Sequence, residues 1–312
     1  MTPSDPSVSG AAVAASGSAL AAPDPDEAAD PWHKPGPKRD PLKRPLFWSI
    51  TKDGRTTYVL GTMHIGIDAE ARLPQIVWDK LDAAPTFAME TDLTDPAILG
   101  MGQRIGGSLR DDLGPVYWKK LEDLLTPDVA RGIDGMKPMI AATLLSIRGL
   151  PMTPAMDGIL LGRAINQKKQ LVYLEPARTQ AALLEKWMDL RTLKMMIDSP
   201  EKGLTMAKQM LEAYVAGEEQ TLLTLAESQK GDQIAAGFTE ADYDRSMDDM
   251  LYRRNASWIA PIEKMHAQGN AFVAVGALHL VGKRSVFDLL AAKGYKVTRI
   301  TNTEPRGVQV VP

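Results

Sequence analysis

From residue 45 onward the apolar positions fall into regular repeats. Residues 46–50 and 56–60 are rich in β-branched and aromatic side chains and flank Lys52-Asp53-Gly54-Arg55. Asp-Gly between two such runs predicts a β-hairpin. Ile76, Val77, Leu81 and Ala84 then recur at helical spacing, and residues 86–89 read as a short strand that ends at Glu90. From about 96 to 250 the pattern is almost entirely helical, with Leu121, Leu124 and Leu125, then Ile140, Leu144, Leu145 and Ile147, on repeating faces. One interruption stands inside it. Residues 171–174 form an apolar run that reads as a strand ending at Glu175, where Pro176 blocks continuation.

The last part alternates again. Leu251, Trp258, Ile262 and Met265 mark one face of a helix that Gly269 terminates. Residues 271–275 read as a buried strand, Val286, Leu289 and Leu290 as a helix, and 295–300 as a final strand. This end parallels the beginning. Tyr58-Val59-Leu60-Gly61-Thr62-Met63-His64-Ile65-Gly66 matches Val273-Ala274-Val275-Gly276-Ala277-Leu278-His279-Leu280-Val281-Gly282, and each is followed by a helix and another strand. The pattern predicts one α/β domain over 45–312. Its mixed central sheet is built from two similar strand-helix-strand halves, with a large helical insertion between them.

Composition narrows the chemistry. The chain has 312 residues, 44% hydrophobic and 24% charged, enough to form a core. Its net charge of −3 lacks the basic excess of a nucleic-acid groove. Cysteine is absent, which excludes disulfides, thiolate metal sites and a cysteine nucleophile. Residues 1–44 are dominated by Ala, Pro, Ser and Asp and read as a disordered tail. The tail closes in a basic linker with Lys34, Lys38, Arg39, Lys43 and Arg44, read as solvated because no apolar face accompanies the charge. No stretch predicts a transmembrane helix, and the uncharged run 6–23 lacks the basic start and Leu-rich centre of a signal peptide. The compartment stays open.

With only four histidines, at 33, 64, 266 and 279, their placement is informative. His64 and His279 follow strands at matched positions, and ligands bind at the carboxyl ends of parallel strands. Glu90 ends the next strand. Two imidazoles and a carboxylate converging on one point are a ligand set for zinc, manganese, iron or cobalt, with a position open for water. Such an ion makes a nucleophile available at neutral pH without serine or cysteine. His266, near a helix C-terminus, reads as structural. Asp157 reads as a helix-start residue. No G-x-S-x-G occurs, and Gly102, Gly106 and Gly107 follow no strand, so neither a serine elbow nor a phosphate loop is present. The sixteen methionines read by spacing as helix-core filler rather than as a copper site.

Gly61-Thr62-Met63-His64, Glu90 and Gly276-Ala277-Leu278-His279-Leu280 together resemble the TraB/GumN/Tiki family pattern of two G-x-x-H motifs and an intervening glutamate. The similarity extends through Met156-Asp157, Tyr173-Leu174-Glu175, Gln180 and Arg254-Asn255, and spans 46–301. It implies an α/β core related to erythromycin esterase and ChaN-like folds, with a helical insertion between the halves. Tiki-type members imply a metal-dependent peptidase using manganese or cobalt, zinc being a further option. The substrate would be a peptide or other small polymer. GumN- and TraB-like members imply a cell-envelope setting, which leaves an accessory binding role for a peptide, polysaccharide or haem-like ligand, or an esterase, as rival readings. The acidic pair that the family often carries after its second glutamate is replaced here by Pro176-Ala177-Arg178-Thr179. In this reading His64 and His279 are metal ligands, and Glu90 is either the third ligand or the general base. Glu175 supports them or acts as base. Arg254 stabilises an oxyanion or pairs with Glu175.

Overall fold

The computed structural model describes residues 40–95 and 100–301. Six strands form one mixed sheet: β1 (Phe47–Lys52), β2 (Arg55–Thr62), β3 (Thr86–Met89), β4 (Gln170–Tyr173), β5 (Ala271–Gly276) and β6 (Lys296–Arg299). β1 and β2 make the expected hairpin, turned by Asp53 and Gly54, both at positive φ. That conformation is the one an Asp-Gly turn provides.

The strand order is β4-β3-β5-β2-β1-β6. β4, β3, β5 and β2 are mutually parallel, and β1 runs antiparallel to both of its neighbours. The mixed sheet matches the sequence reading, while the strands read as two halves are interleaved in it. β5 of the second unit lies between β2 and β3 of the first, and β6 lies outside β1. The consequence is local. β2 and β5 become neighbours with Thr62 opposite Gly276, so the two G-x-x-H segments leave the sheet side by side.

Helices account for the rest: α1 (Ala69–Arg72), α2 (Gln75–Ala83), α3 (Leu109–Leu125), α4 (Pro127–Gly132), α5 (Pro138–Ile147), α6 (Met156–Asn166), α7 (Ala177–Trp187), α8 (Leu190–Asp198), α9 (Pro200–Ala216), α10 (Glu219–Ala235), α11 (Glu240–Met247), α12 (Arg253–Gln268) and α13 (Val286–Ala291). A π-helical turn, Asp248–Tyr252, joins α11 to α12. The main core packs Phe47 of β1, Phe272 of β5 and Phe87 of β3 into an aromatic stack across one face of the sheet. The insertion carries its own apolar cluster, with Leu109, Trp118, Leu121, Ala142 and Leu193 at its centre.

Most of the tail read over 1–44, with His33, lies outside the described residues. Leu42 falls within that span yet is buried, and its N–H donates to the Arg72 carbonyl over 2.8 Å. None of the described helices is long and apolar enough to cross a membrane.

Candidate functional site

Four adjacent parallel strands end on the same edge, and each delivers one side chain there. His64 follows β2, Glu90 follows β3, Glu175 lies two residues past β4, and His279 sits in the 3-10 turn (Ala277–His279) after β5. The β3–β4 ladder continues beyond the strands through Glu175 N–H to the Glu90 carbonyl, 2.9 Å, which sets the two carboxylates side by side. Arg254 enters from α12. Arg254, Asn255, Trp258, Ile259 and Ile262 share the buried face of that helix, so its polar first turn must point into the site.

Arg254 is the hub. Its Nε donates to both oxygens of Glu175 at 3.0 Å, and Nη2 reaches Glu175 Oε1 at 2.6 Å and Glu90 Oε2 at 2.7 Å. The pairing with Glu175, one of the two roles read from sequence, is present. Nη1 donates to the Met250 carbonyl at 2.9 Å, within the π-helical turn, and to His279 Nε2 at 3.1 Å. An arginine can only donate, so His279 Nε2 accepts and its proton sits on Nδ1. That Nδ1–H donates to Asn255 Oδ1 over 2.6 Å. Burial pulls the His279 pKa down to about 4, with Arg254 and His64 acting in the same direction and Glu90 against them, so the ring is neutral at pH 7. It packs on the Trp258 indole at 4.4 Å between centroids.

Glu90 is buried and charged. Burial pushes its pKa up, but the electrostatic pull of His279, Arg254 and His64 and the hydrogen bond from Gly276 N–H outweigh that and hold it at about 2. Its Oε2 is taken by Arg254 and by Gln180 Nε2 at 3.0 Å, while Oε1 accepts from Gly276 N–H at 2.7 Å and lies 3.8 Å from His279 Nε2. Burial likewise raises the Glu175 carboxyl, against the pull of Arg254.

His64 differs from His279. Its side chain is 65% exposed at the mouth of a cleft, and its Nδ1 bonds Asp157 Oδ2 at 2.6 Å. That hydrogen bond is the main reason its pKa rises to about 9; burial works against it, and the charges of Asp157 and Glu90 add to the rise. Asp157 is itself buried and also accepts from Thr62 Oγ1 at 2.8 Å. It does lie in the first turn of α6, as the sequence suggests, but its carboxylate serves His64 rather than the helix end.

The structure thus brings His64, Glu90, Glu175, Arg254 and His279 to one edge, and sets beside them Asp157, Asn255, Thr62 and Gln180, positions the resemblance covers without giving them a site role. Helix spacing gives no warning of Asp157 or Asn255, because a side chain aimed across the molecule leaves no periodic trace. His266 stays apart: Thr57 Oγ1 lies 2.9 Å from Nδ1 and the Lys52 carbonyl 3.2 Å from Nε2, a buried structural role. Among the described residues, no group of three or more His, Asp or Glu side chains is arranged so that it could hold a metal ion. Arg254 stands between Glu90, Glu175 and His279.

Relatives from Shigella flexneri and from Escherichia coli strain K12, each described as uncharacterized protein YbaP, are 25% identical over 258 residues. Each alignment covers 77% of this chain and 90% of the relative. No solved structure matches. The family model described as TraB/PrgY/gumN matches residues 46–299, a span that holds every site residue named above, and the chain belongs to that family.

Proposed function

We propose that the protein is a metal-dependent hydrolase acting on peptide bonds, with His64, His279 and Glu90 holding one divalent ion, manganese or cobalt before zinc. The observation that carries this reading is the anchoring of both imidazoles. Each has its Nδ1 fixed by a buried oxygen, Asp157 or Asn255. Nε2 is then the nitrogen an ion would take, displacing a proton on His64 and the Arg254 hydrogen bond on His279. Metal-ligating histidines are held by such partners. Spacing supports the fit. His279 Nε2 and Glu90 Oε1 are 3.8 Å apart, close enough for both to reach one ion. A Cβ on Gly276 would lie 3.1 Å from Glu90 Oε1 and 3.9 Å from His64 Nε2, so glycine leaves the shared space open.

When bound, such an ion supplies Lewis acidity and a water nucleophile near neutral pH. The chain's own groups do the rest. Glu90 presents Oε1 toward the imidazoles, either as third ligand or as the base that takes a proton from water. Arg254, already ionised and aimed by Glu175, supplies N–H donors where negative charge develops on a carbonyl oxygen. Its hydrogen bond to His279 Nε2 must be given up for that nitrogen to bind an ion.

The same hydrogen bond favours a second reading: the ion-pair network is complete as it stands, and the cleft binds a ligand without catalysis. Mass spectrometry of a peptide library incubated with manganese, cobalt or zinc separates the two, with ester substrates in parallel for the esterase alternative. We expect new peptide termini from the wild type. Glu90→Gln should lose two to four orders of magnitude in rate. It should retain metal if Glu90 is the base and lose metal if it is a ligand. A folded, metal-loaded wild type that cleaves nothing favours the binding role.

A further inference from the structure

Every N–H donor of Arg254 is engaged inside the molecule, and its contacts divide into two sets. Nε and Nη2 fork onto Glu175 at 3.0, 3.0 and 2.6 Å, and Nη1 bonds the Met250 carbonyl at 2.9 Å. Those partners lie outside the group His64, Glu90 and His279. The other two contacts fall on that group: Nη2 to Glu90 Oε2 at 2.7 Å and Nη1 to His279 Nε2 at 3.1 Å. The sets differ in strength. Hydrogen bonds between ionised partners are the short, strong ones, and the Glu175 fork is of that kind. The His279 contact is the longest of the six, and its acceptor is an uncharged ring nitrogen. The guanidinium is firmly anchored on one side and weakly held on the other.

The backbone beside it is irregular at the matching place. Arg253 N–H bonds the Asp248 carbonyl five residues back, the wide pitch of the π-helical turn, and such turns are frequent at functional sites. Asp249 of this turn is buried and tied to the end of α7 by Lys186 Nζ at 2.6 Å and Trp187 Nε1 at 3.1 Å. The next residue supplies the Met250 carbonyl that accepts from Nη1, so the turn fixes where the weakly held end of the arginine rests.

We propose that Arg254 is a built-in latch on the metal site: anchored on Glu175, it closes His279 Nε2 with Nη1 and must release that nitrogen before an ion takes it. This rests on the hydrolytic reading above and adds the regulation of its site, because the fraction of molecules with the contact open scales the apparent affinity for the ion. Stopped-flow mixing of cobalt with the chelator-stripped full chain tests it through tryptophan fluorescence. Trp258 is placed to report, 4.4 Å from the His279 ring and 4.9 Å from the Arg254 guanidinium. Arg254→Lys keeps the positive charge without the planar fork, and Arg254→Gln removes both. Each should take up cobalt about tenfold faster than the wild type, the worth of one such hydrogen bond, with dissociation from Arg254→Lys little changed. Uptake by the wild type as fast as by Arg254→Lys overturns the latch. So does looser binding in both variants, which would make the arginine a support of the site. Faster uptake in Arg254→Gln alone assigns the effect to charge repulsion and overturns it too. Should Arg254→Gln not fold, the comparison of Arg254→Lys with the wild type decides. In all these cases cobalt binding by the wild type leaves the metal site of the hydrolytic reading standing. A folded wild type that binds no cobalt removes that site and the latch with it.

Discussion

At the scale of single residues, the two histidines have been given opposite protonation states by their surroundings. In metal-free protein His279 holds its proton only below about pH 4, against an ordinary value of 6.5. The unfolded chain therefore binds more protons between those values, and stability falls as pH drops from 6.5 toward 4. His64 holds its proton up to about 9, so its contribution is complete below 6.5 and fades as pH rises through 9. Glu90 acts only lower, as pH falls from 4.5 toward 2. Denaturant unfolding in chelator should give a stability maximum near pH 6.5. A tenfold change in proton affinity is worth about 1.4 kcal/mol, so the acid limb should exceed ~1 kcal/mol. The alkaline limb should be shallower, because His64 is largely in solvent. His279→Gln should flatten the first limb and His64→Gln the second. A pH profile unchanged by either substitution contradicts these protonation states.

At the scale of elements, the strands that carry the site were legible and their partners were not. The hairpin, the short strand before Glu90, the interruption before Glu175 and the strand before His279 all follow from local apolar runs, turn residues and Pro176. The order of those strands does not. Placing β5 between β2 and β3 is a long-range choice, and no local pattern encodes it. Asp157 and Asn255 illustrate the same limit, since each reads locally as an ordinary residue of a first helical turn. The interleaving has a measurable consequence at Gly276. Its φ of −52° suits alanine, so the backbone tolerates Gly276→Ala, but the added carbon would stand 3.1 Å from Glu90 Oε1. Glu90 is pinned by Arg254, Gln180 and the Gly276 N–H and cannot yield freely. We expect Gly276→Ala to fold, to lose no more than about 1–3 kcal/mol by overpacking, and to weaken metal binding at least tenfold. Thermal melts with and without manganese read both effects. Wild-type affinity in that variant would mean that the space above Gly276 is not where the ion sits.

At the scale of the whole molecule, the sheet supplies the edge that holds the site and the helical insertion walls the cleft beside it. Four parallel strand ends fix two imidazoles and two carboxylates, and α6 and α12 hold the imidazoles through Asp157 and Asn255. The central claim is that His64 and His279, far apart in sequence, hold one ion together. Isothermal titration of manganese and of cobalt into chelator-stripped wild type, His64→Ala and His279→Ala tests it directly. The account predicts one ion per chain for the wild type and loss of tight binding in each variant, with native far-UV spectra throughout. Undiminished binding in both variants, or none in a folded wild type, contradicts it.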